Sequence, residues 1–154
     1  MTSNTVHDGG CLCGEVRFQA IGEPEVAAVC HCRYCQLRTG SAFGISIYLK
    51  SENLKISSAR LKSYTFTSES CKVLTYKFCD NCGTTLFWDV ELFPGLIGTA
   101  GGSYDPPTFW YGLEREVFQR SKADFVHVDA PESHHTSQFY EPTMSESDRL
   151  DGGE

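Results

Sequence analysis

Lys72-Val73-Leu74-Thr75-Tyr76-Lys77-Phe78 runs without a break into Cys79-Asp80-Asn81-Cys82-Gly83. The first seven residues are rich in β-branched and aromatic side chains and predict a strand. The next five form a Cys-x-x-Cys-Gly knuckle, in which the chain turns around a metal and backbone N–H groups point at the sulfurs. Gly83 suits the residue after the second cysteine, where a β-carbon disfavours the required conformation. Upstream, residues 61–66 alternate again and Thr67-Ser68-Glu69-Ser70 is a turn. Residues 61–78 therefore predict one hairpin, whose second strand delivers Cys79 and Cys82 by cross-strand pairing.

The partner of that knuckle is Cys11-Leu12-Cys13-Gly14. In a straight strand, residues i and i+2 share a face about 6.6 Å apart. That is longer than the sulfur–sulfur edge of a zinc tetrahedron with Zn–S of about 2.3 Å, so the backbone must bend there. Gly9, Gly10 and Gly14 permit the bend. Pairing the two knuckles gives a closed four-thiolate structural zinc site on Cys11, Cys13, Cys79 and Cys82, stapling the N-terminal strand to the end of the hairpin. A redox dithiol at Cys79 and Cys82 is the weaker reading, because it leaves Cys11 and Cys13 unexplained.

Outward from these clusters, residues 15–20, 43–49, 84–88 and 96–100 read as further short strands, and residues 34–39 as a helical turn. The expected fold is mainly β, one antiparallel domain of several small sheets. At 154 residues with 40% hydrophobic content, the chain should bury about 70% of its extended surface, so size alone does not demand a metal. Residues 1–7 read as a tail, 8–140 as the domain, and the polar, acidic residues 141–154 as a flexible tail.

Eight cysteines exceed ordinary core filling, and redox compartment separates disulfide scaffold from metal ligands. The N-terminus carries no basic patch followed by an apolar run, and no segment reaches the ~18 apolar residues of a membrane helix. A cytoplasmic location with reduced, metal-binding thiols is expected. A formal net charge of -7, deepened by metal-bound thiolates, argues against a nucleic-acid partner, which needs a cationic face.

The remaining cluster is Cys30-His31-Cys32-Arg33-Tyr34-Cys35. Three thiolates occupy three corners of a tetrahedron, and three protein ligands with one open position is the usual form of a catalytic zinc. The chain is thus expected to hold two zinc ions. His31, between two ligands, should point away from the metal; Cys71 reads as a thiol behaving as a small hydrophobe. Three thiolates make zinc a poor water activator but a good binder of a soft substrate thiol, which ionises near neutral pH and attacks an electrophilic carbon. Carbon–sulfur bond formation or cleavage is the natural reaction. His31, His127, His134, His135 and Tyr34 are candidate proton carriers; Arg33 and Arg38 can meet a substrate carboxylate or lie on the surface. The alternatives are a noncatalytic, zinc-stabilised protein-interaction domain, and a thiol-based activity in which the second cluster holds no metal.

These motifs, with Phe78-Cys79-Asp80-Asn81-Cys82-Gly83-Thr84 and Gly102-Ser103-Tyr104-Asp105-Pro106, resemble the glutathione-dependent formaldehyde-activating family over about residues 8–140. That family includes S-(hydroxymethyl)glutathione synthase and the centromere protein V domain. The resemblance implies a β-tent fold organised by zinc. It places a structural zinc on Cys11, Cys13, Cys79 and Cys82 and a catalytic zinc on Cys30, Cys32 and Cys35, where glutathione and formaldehyde combine. The chain departs from the family at Gln36, where a basic residue is frequent, and in Asp129-Ala130-Pro131-Glu132-Ser133-His134-His135, where a tryptophan is frequent. Phe139 matches a family phenylalanine.

Overall fold

A computed structural model of the chain describes residues 4–138, 140–143 and 150; Phe139 lies outside them. The fold is mainly β with one short helix. Strands β1 (Val6–Gly10), β2 (Arg17–Ile21) and β5 (Leu54–Ser57) form a three-stranded antiparallel sheet in the order β1-β2-β5. The larger sheet also holds β3 (Val26–Cys30), β4 (Gly44–Lys50), β6 (Leu61–Thr67) and β7 (Val73–Cys79). It is completed by β8 (Thr85–Val90), β9 (Leu96–Ala100), β10 (Arg115–Val117) and β11 (Glu132–Ser133), in the order β11-β10-β3-β4-β9-β8-β7-β6. Helix α1 (Arg33–Thr39) follows β3.

Pairing is antiparallel except at β10, which runs parallel to both β3 and β11. The expected hairpin is present, with Leu61 opposite Cys79 and Thr67 opposite Val73. Its tip differs from expectation: Cys71 sits in the turn at φ 57°, exposed, with Thr143 Oγ1 2.8 Å from its sulfur. It starts no strand and fills no apolar site, because the strand begins two residues later.

Alternation along the strands gives the large sheet two working faces. Ala27, Ile47, Leu49 and Ile97 face the small sheet and join Phe18 and Ala20 in the main core. Phe18 meets Phe87 and Tyr104 edge-on, each at 5.2 Å between ring centroids, the favoured geometry for such pairs. Val26, Ala28, Cys30, Ser46, Tyr48 and Trp88 line a cavity instead. Trp88 crosses β9 because residue 98 is glycine: a β-carbon there would lie 2.0 Å from the indole nitrogen.

Candidate metal centre and cavity

Two hairpin ends meet to form the first cysteine group. The turn from β1 to β2 carries Cys11 and Cys13; β7 ends on Cys79, and the turn from β7 to β8 carries Cys82 three residues later. The group therefore ties the small sheet to the large one. All four sulfurs lie within 4.8 Å of one another, with Cys11 to Cys13 at 3.5 Å and Cys13 to Cys79 at 3.7 Å. The edge of a zinc–thiolate tetrahedron is about 3.8 Å for Zn–S near 2.3 Å, so the donor set fits a soft tetrahedral cation.

Each knuckle closes on a left-handed glycine, Gly14 at φ 81° and Gly83 at φ 77°. Within the knuckles the Val16 N–H donates to Cys11 Sγ at 3.2 Å, the Asn81 N–H to Cys79 Sγ at 3.4 Å, and the Gly83 N–H to the Cys79 carbonyl at 2.9 Å. The Thr84 hydroxyl, 3.2 Å from Cys82 Sγ, together with nearby backbone N–H groups, holds that thiol down to about 5.

The second group is Cys30, Cys32 and Cys35, all buried and again within 4.8 Å of one another. β3 ends on Cys30; Cys32 is the N-cap of α1, its sulfur accepting from the Cys35 N–H at 3.4 Å. Gly40, left-handed at φ 65°, ends the helix. The three sulfurs share protons unequally. Hydrogen bonding to Cys32 and Cys35 and burial push Cys30 well above the usual thiol range. Hydrogen bonds from Cys30 and Cys32, aided by the Arg38 charge, hold Cys35 well below it. Among the described residues this group has three members and no fourth protein ligand.

The trio opens onto a cavity of about 290 Å³ over the face of the large sheet turned away from the small one. Leu74, Tyr76, Trp88 and Phe93 give it apolar walls, and Arg38, Arg115, His134 and Ser137 add polar groups. The closing segment is the stretch after β11. Its backbone is held by the His134 N–H to Glu116 carbonyl bond at 2.9 Å and the Phe118 N–H to Thr136 carbonyl bond at 3.1 Å. Farther along, the Thr143 N–H donates to the Glu69 carbonyl at 2.9 Å, and Tyr140 Oη donates to the Glu69 carboxylate at 2.6 Å.

His31 is fully buried, but its ring turns to Glu116, with Nε2 2.8 Å from Oε1. This removes it from the ligand set, as its position between two cysteines implied. Glu116 also takes Lys122 Nζ at 2.7 Å and Gln119 Nε2 and Ser133 Oγ at 3.1 Å each. Burial alone would raise the Glu116 pKa. The hydrogen bonds from Lys122, His31, Gln119 and Ser133 prevail and bring it down to about 2. A carboxylate with a folded pKa near 2 and an ordinary value of 4.5 stabilises the fold by about 3 kcal/mol at neutral pH. Its contribution is complete above about pH 5 and disappears as pH falls through 2. Glu116→Gln should therefore lower the urea-unfolding free energy by about 3 kcal/mol at pH 7, with the gap from the parent narrowing steadily from pH 5 to pH 2.

Of the other candidates, His134 lines the cavity, half exposed and 3.3 Å from Glu132 Oε2. His127 and His135 are exposed and outside the lining. Tyr34 is buried edge-on against Phe66 at 5.1 Å, and Arg33 does not line the cavity. Gln36 donates to the carbonyls of Ala42 at 3.3 Å and Ser121 at 3.1 Å, a tethering task rather than a basic one. Sequence reasoning missed Glu116, Trp88 and Arg115. The available signal for Glu116 was a carboxylate beside the apolar pair Val117-Phe118.

Mainly β and carrying two sets of converging thiols beside an apolar cavity, the chain is a cysteine-cluster domain suited to soft metal ions. The family model described as glutathione-dependent formaldehyde-activating enzyme matches residues 6–121, and the chain belongs to that family. An uncharacterized lyase of Schizosaccharomyces pombe is 33% identical over 86 residues, which are 53% of this chain and 56% of that protein. The match thus spans about half the length of that relative. A crystal structure of a Rhodobacter sphaeroides protein superimposes with a TM-score of 0.50 at 21% identity, over 64% of this chain and 88% of that one; the fold is what the two share. No helix among the described residues is long and apolar enough to cross a membrane.

Proposed function

We propose that the chain is a zinc-dependent carbon–sulfur lyase or synthase that joins a glutathione-like thiol to a small aldehyde such as formaldehyde, or separates their adduct. The observation that carries this reading is the trio of buried sulfurs facing a cavity, with no fourth protein ligand among the described residues. Family membership supports the same chemistry.

In this reading Cys30, Cys32 and Cys35 hold a catalytic zinc, while Cys11, Cys13, Cys79 and Cys82 hold a structural zinc that organises a β-tent. Bound at the trio, zinc would supply a soft Lewis acid that keeps a substrate thiol ionised near neutral pH. The chain's own residues do the rest. Leu74, Tyr76, Trp88 and Phe93 exclude bulk water, so charges in the cavity interact strongly. Glu116 holds His31, and with it the loop between Cys30 and Cys32, in one orientation. His134, lining the cavity and half exposed, is placed to pass a proton between the cavity and solvent. Residues 8–140 make up the working domain together with Val6 and His7, which begin β1, and residues 141–143, which bond back to the hairpin tip at Glu69 and Ser70; the protein acts in the cytoplasm on small molecules rather than nucleic acid.

Exchange NMR with glutathione and formaldehyde tests the reading. The zinc-loaded, reduced chain should speed interconversion of free and hydroxymethylated glutathione above the spontaneous rate. Unchanged exchange would refute the substrate assignment.

A further inference from the structure

Resting on the carbon–sulfur reading, we propose that Arg38 is the residue that binds the developing oxyanion in this site. Arg38 lies one helical turn beyond Cys35 on α1 and lines the cavity. Its guanidinium carbon stands 4.1 Å over the Trp88 ring, a contact that fixes a planar cation face-on. Among the described residues no carboxylate lies within 4.0 Å of it, and its Nη2 is buried without a hydrogen-bond acceptor. A guanidinium nitrogen buried beside an apolar cavity without an acceptor is costly, and such a group calls for an explanation. The same guanidinium hydrogen-bonds Cys35, a member of the trio.

The backbone reserves room for this cation. Gly44 pairs with Cys30 across β3 and β4, and a β-carbon at 44 would lie 2.4 Å from Arg38 Nη2. A side chain there would make the guanidinium shift and would crowd Cys35 Cβ at 3.3 Å. Trp88 on one side and Gly44 on the other therefore hold Arg38 at the cysteine end of the cavity before substrate arrives. Fixed donors aimed at charge that develops during reaction are the strongest form of electrostatic catalysis.

The balance is simple. A lone pair of the thiolate sulfur forms the bond to the aldehyde carbon, and the carbonyl π pair moves onto oxygen. Arg38 donates hydrogen bonds to that oxygen as it becomes negative. The oxygen then takes, through water, the proton that the thiol released. Cleavage runs the same steps backwards.

The test uses the full, reduced, zinc-loaded chain and the variants Arg38→Gln, Arg38→Lys and Gly44→Ala, each checked for zinc content and near-ultraviolet circular dichroism. In the exchange assay, Arg38→Gln should lower the saturating rate about 100-fold while KM for glutathione moves less than threefold. Arg38→Lys should recover part of that loss. Gly44→Ala, which keeps the charge but dislodges it, should lose at least tenfold. A second measurement needs no turnover: tryptophan fluorescence titrated with thioglycolate, which carries an anionic oxygen near its sulfur, against 2-mercaptoethanol, which does not. The parent should prefer thioglycolate at least tenfold and Arg38→Gln should show no preference. If the parent shows that preference but does not speed exchange, the carbon–sulfur reading falls and the anion site at Arg38 stands. An unchanged preference in Arg38→Gln, or a saturating rate within threefold of the parent, overturns the proposal.

Discussion

Cys79→Ser is expected to leave the chain without a cooperative thermal transition, because it breaks the junction on which both sheets depend. Cys79 is wholly buried at the last rung of β7, opposite Leu61. Its sulfur faces Cys13 from the other sheet at 3.7 Å. Among the described residues the direct hydrogen bonds between the two turns are few, the exposed one from the Leu12 N–H to Thr84 Oγ1 at 3.2 Å and one from the Cys13 N–H to Cys82, each worth about 1 kcal/mol. A structural zinc at such a site contributes about 10–16 kcal/mol of apparent folding free energy, which equals or exceeds the whole stability of a typical domain, about 5–15 kcal/mol. Circular dichroism melts with metal analysis check this. The variant should lose one zinc per chain together with its sigmoidal transition, and a chelator should do the same to the parent. A variant melting within a few degrees of the parent would show that the four thiols do not support the fold.

Cys32→Ser should have the opposite profile, intact fold and lost chemistry. Cys32 is the N-cap of α1, its sulfur accepting from the Cys35 N–H. Serine is among the best residues for that position, so the helix start survives the exchange of sulfur for oxygen. The trio, however, is left with two thiolates, too few to hold a soft cation tightly. Acceleration of glutathione–formaldehyde exchange should fall at least 10³-fold, while the melting temperature moves by no more than a few degrees. A serine variant retaining a tenth of parental acceleration would remove the trio from the chemistry.

Local spacing told most of this site in advance. Cysteines one or two residues apart must converge if they share a cation, and glycines beside them mark where the chain must turn; Gly14 and Gly83 both adopt the left-handed conformation that this requires. Alternation likewise exposed β2, β4 and β6–β9. It failed for β3, whose Val-Ala-Ala-Val-Cys run is covered on both faces and has no polar phase to reveal it. It failed again for β1, where Asp8, Gly9 and Gly10 obscure the pattern, and for β10, only three residues long and paired in parallel with a strand more than eighty residues earlier.

Side-chain partnerships across such distances left no local trace. Glu116 reaches His31 only because the parallel register sets Glu116 beside Val29 and carries the chain on past Cys30. Arg38 reads in sequence as an ordinary basic residue in the last turn of a short helix; its place over Trp88 depends on glycines at 44 and 98 in two other strands.

The proposed chemistry depends on the metal at Cys30, Cys32 and Cys35 keeping one coordination position for a thiol. Zinc-edge X-ray absorption on reduced chain carrying two zinc ions measures it, before and after glutathione is added. With that position open, an average of about 3.5 sulfurs per zinc, seven cysteines over two ions, should rise to about four with loss of a light-atom neighbour. Four sulfurs per zinc from the outset, or a sulfur count that glutathione leaves unmoved, would contradict it.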